Sequence, residues 1–169
     1  LVINSPGGDL MAGMALGQIL RQQSISTIVG ATITGKYPDA PNTSQIEEGY
    51  CYSACSYAFF GGVERHVNAG ELGVHQFYAA SGGDISSSDT QSVIGMTLNY
   101  LKDMGISDEA QISASFTTPD DIYTYSDQEL TRFNIDNTSR TSDEGWFYWL
   151  LGPDAPSDTS AALDPNWTL

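Results

Sequence analysis

The chain has 169 residues, 40% of them hydrophobic, enough for one domain with a sizeable core and too few for two ordinary ones. Six Lys and Arg stand against 21 Asp and Glu, a formal charge of −15, so the surface field repels phosphate backbones and anionic membranes and excludes nucleic acid as an expected partner. No apolar run approaches the ~20 residues that span a bilayer, and no basic stretch leading into an apolar one marks a signal peptide.

The chain opens on Leu1 directly inside the run Leu1-Val2-Ile3-Asn4, which reads as a short buried strand, and a segment upstream of it is expected. Ser5-Pro6-Gly7-Gly8 follows as a turn. From Leu10 to about Gln22 the residues Leu10, Met11, Met14, Ala15, Ile19 and Leu20 recur at helical spacing, with Asp9 where an N-cap belongs. Ile25 to Val29 reads as a second strand, so the opening third is expected to be a right-handed βαβ unit with a parallel sheet. Residues 35 to 49, with Pro38 and Pro41 and no period, read as a surface loop or lid.

Cys51 to Phe60 is apolar and ends at Gly61-Gly62, which predicts a buried helix starting near Ser53. Leu72 to Phe77 reads as a buried strand running out to a functional end. Gly82 to Ser88 is a Gly/Ser-rich connection before a helix from about Asp89 to Met104, and shorter helices are expected near Asp108 to Phe116 and Asp127 to Phe133. Trp146 to Leu151 is an aromatic run that either completes the core or forms a docking patch. From Pro153 onward the chain reads as a poorly ordered tail. The domain is therefore expected over 1–143, with 144–169 as an aromatic segment and acidic tail.

A serine hydroxyl is a weak nucleophile at neutral pH and needs a base and donors aimed at the developing oxyanion. The bases on offer are His66 and His75. His66 lies in the polar Glu64-Arg65-His66 and reads as an exposed turn, whereas His75 closes an apolar strand, so His75 is the stronger candidate for general base. Cys51 and Cys55 bracket Ser53 and read either as buried small hydrophobes or as a disulfide. Two cysteines and one credible imidazole lack zinc-ligand spacing, so neither metal nor cofactor is expected.

Asn4-Ser5-Pro6-Gly7-Gly8-Asp9, then Ser53-Ala54-Cys55-Ser56-Tyr57-Ala58-Phe59-Phe60-Gly61-Gly62, then Gly73-Val74-His75-Gln76 resemble, in order and spacing, three consecutive signatures of the Clp protease family and its extracytoplasmic relatives. The resemblance covers residues 1 to about 77. It implies an α/β fold of the crotonase kind, a ββα superhelix with a mostly parallel sheet. It further implies Ser53 as nucleophile, His75 as base, the backbone N–H groups of Gly8 and Ala54 as oxyanion hole, and peptides or proteins as substrate.

For the third catalytic member the family's pattern is met less cleanly. Counting back from Asp136 lands on Asp121, counting back from Ser126 lands on Ile122, and Asp120 is adjacent; Asp121 is the expectation. The resemblance also implies self-association, and the Cys-Tyr-Ser-Ala-Cys arrangement is similar to that of periplasmic relatives, which implies a periplasmic or other extracytoplasmic bacterial location. A catalytically silent assembly or binding module of the same fold is the alternative.

Overall fold

In the computed structural model, which describes residues 1–34, 44–78 and 86–138, the opening run forms β1 (Val2–Ile3), and Asp9 caps α1 (Leu10–Gln22) by accepting the Ala12 N–H at 2.8 Å. Strand β2 (Thr27–Val29) returns beside β1 in parallel, Val2 opposite Ile28 and Ile3 opposite Val29. The parallel βαβ unit expected from the sequence is thus present in this mixed α/β fold.

Next come β3 (Ala31–Thr34) and β4 (Ser44–Glu47), an antiparallel pair from Ala31 opposite Glu47 to Thr34 opposite Ser44. This corrects the reading of 35–49 as loop throughout. A strand whose sequence is Ser-Gln-Ile-Glu carries a single apolar residue, so its period is invisible alone, and its order comes from pairing with β3. Residues 35–43 lie outside the described residues.

β5 (Cys51–Tyr52) leads into α2 (Ala54–Phe60), every residue of which is buried. β6 (Arg65–His66) joins β2 in parallel, and β7 (Leu72–Val74) joins β5 in parallel. Helices α3 (Ser87–Asp103) and α4 (Glu109–Phe116) follow, then β8 (Tyr123–Thr124), antiparallel to β7, and α5 (Asp127–Arg132). Among the described residues the strands form three small sheets, β1-β2-β6, β3-β4 and β5-β7-β8. One mostly parallel sheet was expected; the parallel ladders are there, but divided, with antiparallel pairs at β3-β4 and β7-β8. The Gly82–Ser88 connection, the aromatic run and the tail lie outside the described residues except for Ser86 to Ser88, which cap and open α3.

The core gathers Phe59, Phe60, Val67, Leu72, Leu101, Leu130 and Ile135 around α2. α1 crosses α2 at Gly17 and Gly61, where a Cβ on either would strike the other helix's backbone. Arg21 and Arg65 then staple the layers together. Arg21 donates to the carbonyls of Gly61 (3.0 Å) and Gly62 (2.9 Å), and fully buried Arg65 donates to those of Gly62 (2.8 Å), Asn134 (2.7 Å) and Ile135 (2.9 Å). Burial, followed by the nearby Arg21 charge, lowers the Arg65 pKa to about 10, which leaves it protonated at neutral pH.

Candidate active site

The segment Asn4 to Gly8 is stitched to the strand that carries the candidate nucleophile. The Ser5 N–H donates to the Tyr50 carbonyl (2.8 Å), the Tyr52 N–H to the Ser5 carbonyl (3.1 Å), and the Tyr50 N–H to the Asn4 side-chain oxygen (3.0 Å). Gly7, at φ 116°, then passes so close to Ser53 that a Cβ there would lie 2.7 Å from the Tyr52 oxygen and 2.8 Å from the Ser53 Cβ. Only glycine meets both demands.

Ser53 sits between β5 and α2 at φ 58°, ψ −127°. A residue with a side chain holds such a backbone at a cost of about 1–3 kcal/mol, and only where its surroundings dictate it. Its N–H donates to the Gly73 carbonyl at 2.8 Å, and Cys51 and Cys55, on either side of it, are joined as a disulfide. The Gly8 and Ala54 N–H groups donate no hydrogen bond among the described residues. They are therefore free to receive a negatively charged oxygen. Ser56, the rival serine, is fully buried, its hydroxyl directed at the carbonyls of Cys51 (3.1 Å) and Gly73 (2.8 Å).

His75 follows β7 directly. The β5-β7 register sets Tyr52 opposite Gly73, so His75 leaves its strand within one residue of the level of Ser53, and adjacent strands lie about 4.8 Å apart. The imidazole Nδ1 lies 2.6 Å from the Gln76 carbonyl oxygen. A proton on Nδ1 donates there and leaves the Nε2 lone pair open, the tautomer a general base requires. Gln76 is itself anchored to the end of α4, its N–H donating to the Thr117 carbonyl and its side-chain amide to the Ser115 carbonyl, both at 2.8 Å. The Tyr78 ring stacks against His75 with centroids 6.1 Å apart.

Asp120 and Asp121 stand on the turn before β8, both exposed. The Asp121 carboxylate accepts the Ile122 N–H at 2.8 Å, and among the described residues no hydrogen bond joins either aspartate to His75. Val74 pairs with Tyr123 in the antiparallel ladder, and one step further brings Ile122, not Asp121, opposite His75. The two counts along the sequence differ by this one residue.

His66 departs from its expected exposed turn. It lies buried on β6 with Nδ1 3.3 Å from the Asp136 carboxylate and 3.3 Å from the Thr138 hydroxyl. Arg65 and His66 are inside, while Glu64 stays exposed, because both find partners in the stretch from Asn134 to Thr138. Burial by itself would raise the Asp136 pKa; hydrogen bonds from His66, the Thr138 hydroxyl and N–H, and the Val67 N–H outweigh it and hold the group at about 2. This histidine–aspartate pair escaped the sequence because its members are far apart in the chain. Among the described residues no group of three His, Cys, Asp or Glu is placed to hold a metal ion.

No family model and no curated protein matches the chain. Among solved structures it is similar to a mutant of the 1510-N membrane-bound stomatin-specific protease, with 20% identity and a TM-score of 0.48, over 85% of this chain and 65% of that one. A second mutant of that protease, in complex with a substrate peptide, is similar with 17% identity and a TM-score of 0.49, over 86% of this chain and 62% of that one. The chain thus spans a little under two thirds of the length of these structures.

Proposed function

We propose that the chain is a serine hydrolase of the Clp protease type on a crotonase-like fold, with Ser53 as nucleophile, His75 as general base and the Gly8 and Ala54 N–H groups as oxyanion hole. The observation that carries this reading is the backbone of Ser53, held at positive φ beside the strand that leads into His75, with the Gly8 and Ala54 N–H groups donating no hydrogen bond among the described residues. The hydroxyl attacks an acyl carbon while Nε2 takes its proton. The oxyanion falls to the two N–H groups, and the imidazolium returns the proton to the leaving group before water repeats the cycle. Peptide-bond specificity rests on the sequence resemblance.

In this reading the Gln76 carbonyl orients His75, and Asp121 supplies negative charge from the β8 turn without a direct bond. A silent module of the same fold is the second reading, favoured by the absence of a carboxylate on His75 among the described residues. The disulfide supports an oxidising, extracytoplasmic compartment. Met11, Leu16 and Ile19, exposed apolar residues of α1, support self-association.

Labelling with a fluorophosphonate probe, read by intact mass, tests the reading. Wild type is expected to gain one adduct, Ser56→Ala one on Ser53 at a lower rate, and Ser53→Ala none. His75→Ala is expected to lose at least a hundredfold in rate, in line with the ~10²–10⁴ that general base catalysis contributes. Asp121→Asn and Asp120→Asn are expected to stay within about tenfold of wild type, short of the ~10⁴ lost with an aspartate bonded directly to the base. No labelling of folded wild type would favour the silent module.

A further inference from the structure

We propose that Ser56 and the Cys51–Cys55 disulfide form one buried positioning frame, which fixes the Ser53 backbone in its reactive conformation. The proposal rests on the reading of Ser53 as nucleophile. Cys51 is tied to the far side of Ser53 through its sulfur to Cys55, and its carbonyl lies 3.1 Å from the Ser56 hydroxyl, whose single proton it shares with the closer Gly73 carbonyl. The Gly73 carbonyl on the neighbouring strand receives both the Ser53 N–H and the Ser56 hydroxyl, each at 2.8 Å. Ser53 is therefore enclosed by a covalent link and a hydrogen-bonded one, running from the residue two before it to those two and three after it.

Every part of this frame is out of water: Cys51 and Ser56 are fully buried and Cys55 is 6% exposed. None of it can reach a substrate. Its effect must pass through the backbone of Ser53, whose φ of 58° is unfavourable for a side-chain-bearing residue and relaxes when the restraint is lifted. A bridge spanning four positions removes less freedom from the unfolded chain than a long-range one, so much of what it does is local. The frame also explains why a second serine stands three residues after the first without competing for the acyl group: its hydroxyl is committed and buried.

Misplacing a nucleophile by about 1 Å costs on the order of a hundredfold in rate while leaving ground-state binding alone. The test measures fluorophosphonate inactivation of the full chain at several probe concentrations, which separates the maximal rate kinact from the half-saturating concentration KI. It compares oxidised wild type, wild type treated with dithiothreitol, Cys51→Ala/Cys55→Ala and Ser56→Ala. Dithiothreitol gives the bridge two electrons and two protons, yielding two thiols and its own cyclic disulfide. Near-UV circular dichroism reports whether the packing persists, and peptide mass spectrometry locates the adduct.

The expected result is a kinact lowered about a hundredfold with KI within about twofold, native dichroism, the adduct still on Ser53, and recovery when the reduced protein is reoxidised. An unchanged kinact in folded variants would overturn the frame, as would losses of kinact, KI and dichroism together, which mark a merely structural role. An adduct on Ser56 would overturn it too. Oxidised wild type that takes no label would instead remove the reading of Ser53 on which the frame depends.

Discussion

Gly7 bears two separate demands, a positive φ and an approach to Ser53 that leaves no room for a methyl group. Gly7→Ala is accordingly expected to lower stability by about 1–3 kcal/mol in a urea melt and to slow fluorophosphonate labelling, because the displaced partner is the nucleophile's own Cβ. A variant as stable and as fast as wild type would mean that the turn gives way. The positions of Ser53 before α2, of His75 after β7 and of the Gly-Gly turn before α1 were legible in the sequence because each sits in a short contiguous motif. The third member was not, since the difference between Asp121 and Ile122 is one step of register on a ladder that ends at Val74 and Tyr123. His66 misled because its partners, Asp136 and Thr138, are about seventy positions away.

Helices declare themselves more plainly than strands in this chain. The expected α1 matches residue for residue, its cap included, and α3 and α4 fall within two residues of expectation, because a period of 3.6 over eight or more residues needs no knowledge of neighbours; α5, six residues long, falls within one residue of it. Strands of two to four residues carry too few positions for alternation to show, so β4, β6 and β8 exist only through their partners. Asp136 helps to fasten the segment after α5 to β6. Its carboxylate is lowered to about 2 from an ordinary value of 3.8, so its stabilisation is complete above pH 4 and is lost as pH falls toward 2. Asp136→Asn is expected to be less stable than wild type by about 2 kcal/mol at pH 6, the gap narrowing between pH 4 and pH 2. Thermal unfolding across that range checks this, and a gap independent of pH would locate the effect elsewhere.

On the scale of the whole molecule, α1 is apolar on both sides. Met14, Gly17 and Leu20 face inward, while Met11, Leu16 and Ile19 are 52%, 43% and 53% exposed, and residues 10–20 contain no charged side chain in a protein of net charge −15. An apolar outer face on a surface helix fits contact with a second copy. Leu16→Glu/Ile19→Glu is expected to leave stability within about 1 kcal/mol and, where wild type is oligomeric by light scattering, to reduce it to single chains; an oligomer that survives would assign the contact to another face. No helix of the described residues is long and apolar enough to cross a membrane.

The two arginine staples bear on how this protein meets its ionic surroundings. Of six positive side chains, Arg21 and Arg65 are turned toward backbone carbonyls, so the exterior is more one-sidedly acidic than the composition implies. Dissolved salt screens repulsion among those outer carboxylates, while dipoles gripped by sheltered guanidinium groups feel little of it. Brine should therefore tighten this molecule, where it would loosen one held together by surface ion pairs.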